Sequence, residues 1–362
     1  MTDVGMRFVS RLHQTLGVDE RWTVRHRRGF TWWGYWLAQY VEAGPVFESD
    51  GLDYCLVRIR TTIARDVSSA ADPAGVLARL NRDATLSALI WNPHAGTIIE
   101  CATALVTTVN VEQLCETLRT VAVLQCDSAH RRALSIARAC DARIAVSAHP
   151  NNGERTDPDP LLVLARDEIV KAGAEPSRFA GALGNALGGL SSAITCSAGV
   201  GHTRLRCEVP YSGDTSVGTT QWATSPAGND PQTALVRIFA DQPHQQIGNG
   251  ALSLLHLPVA LGSSGAAVLT NHLNAVAAHG GVGAPLLGSW CANPVGSDRT
   301  GLVFCSFLPN ALAWPLLLES HLIEQAGRAR FALGQLGPAQ VTAAVTSGPV
   351  TTEPPPDPLT SH

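Results

Sequence analysis

The chain has 362 residues, of which 45% are hydrophobic and 15% charged, and its formal net charge at pH 7 is −4. This length and apolar content suffice for one large hydrophobic core or two ordinary ones. The small negative charge lacks the one-sided basicity of a nucleic-acid-binding protein, so no nucleic-acid partner is expected.

Neither a membrane anchor nor a secretion signal is expected. No apolar run is long enough to cross a bilayer, and the first five residues carry no basic stretch followed by an apolar one. The nine cysteines include no C-x-x-C pair. We therefore predict a cytoplasmic protein whose cysteines are free thiols, most of them buried.

Two segments of the chain carry the same landmarks in the same order. Each has a helix that ends on Leu-Asn, a strand that closes on Trp, a strand that carries Cys and a final amphipathic helix. The landmarks are Leu80-Asn81, Trp91, Cys101 and Leu118 in the first segment, and Leu273-Asn274, Trp290, Cys305 and Leu322 in the second. This shared order predicts two diverged copies of one module.

Periodicity assigns the element types within each copy. Residues 54–63 alternate apolar and polar side chains, which is typical of a half-buried strand, whereas 252–261 are apolar on both faces and should be more covered. Asp72 followed by Pro73 predicts a helix start, and Asn110 predicts the start of the closing helix.

Each copy therefore reads helix, three strands, helix, two strands, helix (α-β-β-β-α-β-β-α), which predicts an α+β fold with an antiparallel sheet and helices on one face. We assign an N-terminal module to 1–147 and a C-terminal module to 161–340. The segment 148–160, rich in Pro, Asn and Asp, is the predicted linker, and 341–362 is predicted to be a disordered tail.

The second copy resembles an actinobacterial family in the superfamily of type III secretion chaperones and YbjN-like proteins, also called TY-chaperones. The residues that carry the resemblance are Gly248-Asn249-Gly250-Ala251-Leu252, Leu257-Pro258-Val259, Leu273-Asn274, Gly288-Ser289-Trp290-Cys291 and Phe307-Leu308-Pro309-Asn310-Ala311-Leu312. The resemblance covers about residues 230–335, and it extends to the first copy only through the order of its helices and strands. It implies a tandem chaperone-like protein that binds a protein or peptide, without catalytic residues. Two modules in one chain would replace a homodimer, giving a monomer with an internal pseudo-dimer.

No motif for a cofactor or metal is found. The single lysine, Lys171, is followed by Ala172, whereas a phosphate loop needs Ser or Thr after its lysine. His272 and His279 are two helical turns apart with no acidic residue between them, so a solvated helix face is favoured over a metal site. We predict no cofactor and no metal. The sequence leaves open whether folding brings a cysteine and a histidine together as a catalytic pair.

A basic cluster, residues 25–28, precedes three tryptophans. Basic residues beside aromatics can clamp single-stranded nucleic acid, but a solvated turn before a strand is favoured. Trp32 and Trp33 are neighbours in a strand and should point to opposite faces, so one of them should be exposed. Trp32, Trp33 and Trp36 are the candidate partner-binding residues. Trp91 and Trp290, at matching landmarks, are expected in the core.

These observations predict a non-enzymatic peptide-binding chaperone or adaptor whose sheet face or strand edge holds an extended partner segment. One alternative is a structural or regulatory interaction module of a larger complex without a peptide groove. A more remote one is a cysteine hydrolase. A groove lined by Trp and apolar side chains favours the first function, a flat patch the second, and a Cys–His contact in a cleft the third.

Overall fold

The structure, a computed structural model, describes residues 3–49, 51–83, 85–179, 195–198, 204–210, 233–257, 263–279, 285–292, 302–314 and 317–335. The predicted tail at 341–362 and the side chains of Cys196 and Cys207 lie outside this description. The other cysteines are free and buried, as predicted: Cys55, Cys101, Cys115, Cys126, Cys140, Cys291 and Cys305.

The described residues form α-helices and antiparallel strands. The helices are α1 (Val4–Leu16), α2 (Pro73–Leu80), α3 (Val111–Ala139), α4 (Pro160–Ala174), α5 (Ser263–His279) and α6 (Leu317–Gly334). The strands of the first half are β1 (Thr23–His26), β2 (Gly29–Trp32), β3 (Gln39–Ser49), β4 (Leu52–Arg65), β5 (Ala88–Asn92), β6 (Thr97–Thr107) and β7 (Arg143–Ile144). Those of the second half are β8 (Thr195–Ala198), β9 (Arg204–Pro210), β10 (Thr233–His244), β11 (Gly248–Leu257), β12 (Ser289–Ala292) and β13 (Leu302–Pro309).

Both sheets have the same strand order. The first runs β1-β2-β3-β4-β6-β5, with β7 added beside β4, and the second runs β8-β9-β10-β11-β13-β12. The fold is therefore α+β, as predicted. Among the described residues, four strands precede the central helix of each half, one more than the sequence pattern predicts. In the first half the reason is length: β1 and β2 have four residues each and are joined by a two-residue turn, too short to show a period.

The helix starts follow local chemistry. Asp72 accepts a hydrogen bond from the Gly75 backbone N–H at 3.1 Å and Pro73 opens α2, so both features of the predicted start are present. Helix α3 begins directly after Asn110, also as predicted. Together α1 and α3 cover one face of the first sheet, where residues such as Phe8 and Val57 form the main core.

The Leu-Asn landmark has a structural role that is the same in both halves. Asn81 is buried; its amide accepts from the Leu89 backbone N–H at 2.8 Å and donates to the Leu89 carbonyl at 3.0 Å. Asn274 makes the same two bonds with Trp290, at 2.8 and 2.9 Å. Strands β5 and β12 are sheet edges, so each asparagine satisfies backbone groups that no neighbouring strand can reach.

This geometry corrects one pairing of the predicted repeat. The residue of the first half that is equivalent to Trp290 is Leu89, not Trp91, which lies two residues further on. Trp290 is buried as expected, but Trp91 is only half-buried. The cysteine landmark is in register: Leu89 pairs with the residue before Cys101, and Trp290 pairs with the residue before Cys305.

The two halves meet through equivalent elements. The Thr103 backbone N–H donates to the Leu286 carbonyl at 3.2 Å, and the Phe307 N–H donates to the Thr85 carbonyl at 3.0 Å. The two donors are equivalent, because Thr103 lies two residues after Cys101 and Phe307 two residues after Cys305. The two acceptors are equivalent as well, because Thr85 lies four residues before Leu89 and Leu286 four residues before Trp290. The two hydrogen bonds are therefore reciprocal. Helices α2 and α5 pack on each other through small side chains, Ala74, Ala78 and Ala267. Reciprocal contacts of this kind are those of an isologous, approximately two-fold interface.

Candidate binding cleft

Trp32 and Trp33 are both buried, so the expectation that one of them is exposed is wrong. Trp32 is 1% exposed and Trp33 is 5% exposed. The Trp32 Nε1–H donates to the Asp159 carboxylate at 3.1 Å, and the Trp33 Nε1–H donates to the Ser147 carbonyl at 3.1 Å. The alternation argument fails because β2 ends at Trp32, and the chain that follows α3 folds over this end of the sheet.

The predicted linker, 148–160, is the covering segment. It has no helix or strand before α4 begins, but two of its charged side chains are buried: Arg155 is 7% exposed and Asp159 is 1% exposed. Arg155 donates to the Trp33 carbonyl at 2.6 Å and to the Asp159 carboxylate at 3.2 Å. The Arg155 guanidinium also lies 5.2 Å from the Trp22 ring centroid. These contacts make Trp32 and Trp33 part of the packing.

Trp36 is half-buried against a satellite core and contacts the His130 ring edge-on, with centroids 5.2 Å apart. Its role as a partner-binding residue stays a prediction. The basic cluster at 25–28 spans the two-residue turn between β1 and β2, which agrees with the favoured interpretation of a turn before a strand. Two of its arginines are paired within the chain, Arg25 with Glu20 at 2.6 Å and Arg28 with Asp3 at 2.6 Å.

A cleft lies on the face of the first sheet opposite α1 and α3. Its larger part has a volume of about 750 Å³, and a second part of about 400 Å³ adjoins it at Arg58 and His279, which line both. The floor is formed by the solvent-side positions of β4 and β6, with Arg58, Arg60 and Ile99 among them. Trp91 closes one end, and the exposed ring of Phe47 lies at the other.

Helix α5 of the second half forms the wall of the cleft. The side chains that line it are Val268, Asn271, His272, Ala275 and His279. Their spacing follows helical turns, so they lie on one face of α5. Val268 is 65% exposed, and His272 and His279 are also exposed. The cleft is therefore formed by residues of both halves.

The cleft carries unbalanced positive charge. Arg60 is paired with Glu42 at 3.4 Å and lies over the Tyr40 ring at 4.4 Å. Arg58 makes no ion pair among the described residues: Glu42, which lies opposite it on β3, is paired with Arg60. Arg58 is half-buried and lines both parts of the cleft, so its positive charge lies at the cleft surface.

At the positions equivalent to Arg58 and Arg60 the second sheet carries apolar side chains, although the same face also carries Arg237 and His256. Arg60 and Leu254 lie opposite the two equivalent cysteines of β6 and β13, so they occupy equivalent positions, and two residues earlier Arg58 matches Leu252. The second face forms a small cluster of buried residues, Leu254, Cys291, Val303 and Cys305. The segment after α2 covers it, where the Cys305 thiol contacts the Arg82 carbonyl at 3.5 Å. The second copy is thus the more covered one, as its two-sided apolar strand predicts.

Strand β5 is closed to strand addition at the positions that face outward. Asn81 holds both backbone groups of Leu89. Two residues on, Asn271 of α5 accepts from the Trp91 N–H at 2.8 Å and donates to its carbonyl at 3.0 Å. A partner strand at this edge would have to displace both amides, so the sheet face offers the easier binding surface.

Among the described residues, folding brings Cys126 and His130 together on α3, in surroundings that keep both neutral. The Cys126 thiol lies 3.8 Å from His130 Nδ1 on α3. His130 Nδ1–H donates to the Cys126 carbonyl at 2.6 Å and Nε2 accepts from the Leu37 N–H at 3.1 Å, so both ring nitrogens are in use. Burial raises the pKa of the Cys126 thiol well above its ordinary value and lowers the pKa of His130 to about 4. This pair favours neutral thiol and neutral imidazole, not a thiolate nucleophile.

Arg58 and Arg60 were missed as site residues, although their signal is in the sequence: two arginines at alternate positions of an otherwise apolar-alternating strand share one face. Within the described ranges no group of three or more His, Cys, Asp or Glu side chains could hold a metal ion. None of the described helices is both long and apolar enough to cross a membrane.

Comparison of the chain with protein-family models, with curated proteins and with solved structures finds no match in any of the three.

Proposed function

We propose that this chain is a non-enzymatic binding protein that holds an extended segment of a protein or peptide partner in the cleft between the first sheet and α5. The observation that carries the proposal is the cleft itself, a groove with α5 as its wall, large aromatic rings at its ends and an unpaired arginine in its floor. Grooves of this size suit a peptide chain with alternating anchors.

The dimensions fit an extended segment. From Leu56 to Thr62 the floor follows β4 for about 20 Å, at about 3.3 Å per residue, which is the length of about six extended residues. The resemblance to type III secretion chaperones and YbjN-like proteins points to the same class of partner. In this proposal the pairing of two halves in one chain replaces a homodimer, so the protein acts as a cytoplasmic monomer.

A second candidate is a structural or regulatory interaction module without a peptide groove. Its support is the extensive reciprocal packing of the halves, which would serve a rigid scaffold equally well. In this second candidate partners would contact surfaces outside the cleft.

A blocking substitution tests the proposal. Val268→Trp places a large ring in the cleft at a position that is 65% exposed, so the fold should tolerate it. Leu164→Trp is the matched control, because Leu164 is 60% exposed on α4, away from the cleft lining. The purified proteins are applied to an array of seven-residue peptides of varied sequence.

We expect wild type and Leu164→Trp to bind the same subset of peptides, and Val268→Trp to lose that binding at least about tenfold. Circular dichroism and the thermal midpoint of each variant serve as the check on folding. Binding that survives in Val268→Trp would move the partner site elsewhere, and an array that no variant binds would favour the scaffold function.

A further inference from the structure

We propose that the cleft selects acidic segments, in which Asp or Glu side chains at alternate positions of an extended peptide bind Arg58 and Arg60. This inference rests on the proposed function and specifies the partner chemistry of that site. It follows from charge, spacing and the comparison of the two halves.

The charge of the cleft favours a carboxylate ligand. Arg58 lines both parts of the cleft, is half-buried and makes no ion pair in the described part of the chain. A carboxylate in the cleft would form a charge-assisted hydrogen bond with the part of this guanidinium that faces the cleft. Arg60 has one carboxylate neighbour, Glu42, at 3.4 Å, a long contact that leaves donors of the guanidinium for a ligand.

The spacing favours an extended peptide. Arg58 and Arg60 lie on the same face of β4 and are two residues apart, a separation of about 7 Å along the strand. Alternate side chains of a bound extended peptide have the same separation, so acidic residues at positions i and i+2 would meet the two arginines together. A helical peptide repeats at three or four residues and would not match.

The second half shows what the module looks like without this feature. At the equivalent positions it carries Leu252 and Leu254, and the face around Leu254 is buried by the rest of the protein. Arginine is therefore not needed at these positions to form the sheet. At these two positions the open face carries arginine and the closed face carries leucine.

Single-stranded nucleic acid is the less favoured anion. Its binding grooves combine an extended track of positive charge with several stacking aromatics. This cleft holds two neighbouring arginines on its floor, and the aromatic side chains Trp91 and Phe47 lie at its opposite ends.

The test uses labelled seven-residue peptides in which Thr alternates with Glu, with Gln or with Lys, and a labelled seven-nucleotide oligothymidine. The variant is Arg58→Leu/Arg60→Leu, which installs the residues of the second half. The control is Arg138→Leu/Arg143→Leu, which removes the same charge at exposed positions outside the cleft lining. Binding is measured by fluorescence anisotropy at low and at physiological salt, with the thermal midpoint of each protein as the folding check.

We expect the Glu peptide to bind wild type and the control, and to lose about tenfold or more in affinity in Arg58→Leu/Arg60→Leu. The Gln and Lys peptides should bind at least about tenfold more weakly than the Glu peptide. Equal binding of all three peptides, abolished by Val268→Trp but not by the arginine variant, would overturn the acidic preference and keep the peptide-binding function. Tighter binding of the oligothymidine would overturn it in favour of nucleic acid. No binding of any probe would overturn both.

Discussion

Replacing Asn274 by Ala should cost about 2–6 kcal/mol of unfolding free energy. The side chain is fully buried and makes two hydrogen bonds to the backbone of Trp290, at 2.8 and 2.9 Å. Its removal leaves the N–H and the carbonyl of Trp290 buried without a partner, at about 1–3 kcal/mol for each group. The lower end of the range applies if water enters the space that the amide leaves.

The assay is urea unfolding followed by tryptophan fluorescence, with the midpoint and slope compared between variants. Asn249→Ala is the control, because that amide makes one exposed bond, to the Glu175 carbonyl at 2.8 Å, and should cost about 1 kcal/mol or less. Asn81→Ala should match Asn274→Ala within about 1 kcal/mol, since the two residues do the same task. A loss below about 1 kcal/mol for Asn274→Ala would refute the structural account of the Leu-Asn landmark.

Three further predictions concern buried polar groups. Burial lowers the pKa of His321 to about 3, so this imidazole is neutral in the folded protein, whereas the unfolded chain protonates it below pH 6.5. The free energy of unfolding should therefore fall as pH drops below 6.5. In urea titrations at pH 5, His321→Gln should reduce that fall by about 2 kcal/mol. Burial raises the pKa of Cys101 to about 12, so its thiol should stay unmodified by a disulfide reagent until urea unfolds the protein, as read by peptide mass mapping. Arg155→Met should cost about 3–5 kcal/mol, because Asp159 loses its buried ion-pair partner, and a loss under 1 kcal/mol would contradict the described packing of this segment.

Sequence reasoning succeeded where one residue type does the same local work twice. Asn81 and Asn274 each satisfy the backbone of an edge strand, and this shared role explains why the Leu-Asn pair occurs in both halves. The equivalence of Trp91 and Trp290 was wrong because loop length differs between the copies, and a landmark by residue type alone carries no register. The hydrogen bonds of Asn81 to Leu89 and of Asn274 to Trp290 identify Leu89 and Trp290 as the equivalent residues.

The candidate site was harder to predict because it depends on contacts between distant segments. Alternation along a strand predicts that one of Trp32 and Trp33 is exposed, but it takes no account of the predicted linker at 148–160. That segment folds over the end of β2, where Arg155 and Asp159 contact the two tryptophans. Alternation along β4 predicts which face of the sheet carries Arg58. The cleft that Arg58 lines is completed by α5 of the other half, about 200 residues away in the sequence. Local periodicity carries no information about that approach.

The central claim is that an extended acidic segment lies in the cleft beside α5. The most direct measurement is photo-crosslinking of the alternating Thr-Glu peptide to protein that carries a benzophenone side chain in place of Val268. We expect adducts at this position, none when the same side chain replaces Leu164, and none at 268 when Arg58→Leu/Arg60→Leu is combined with it. Adducts of equal yield at both positions, or adducts at 268 that persist without the two arginines, would contradict the account.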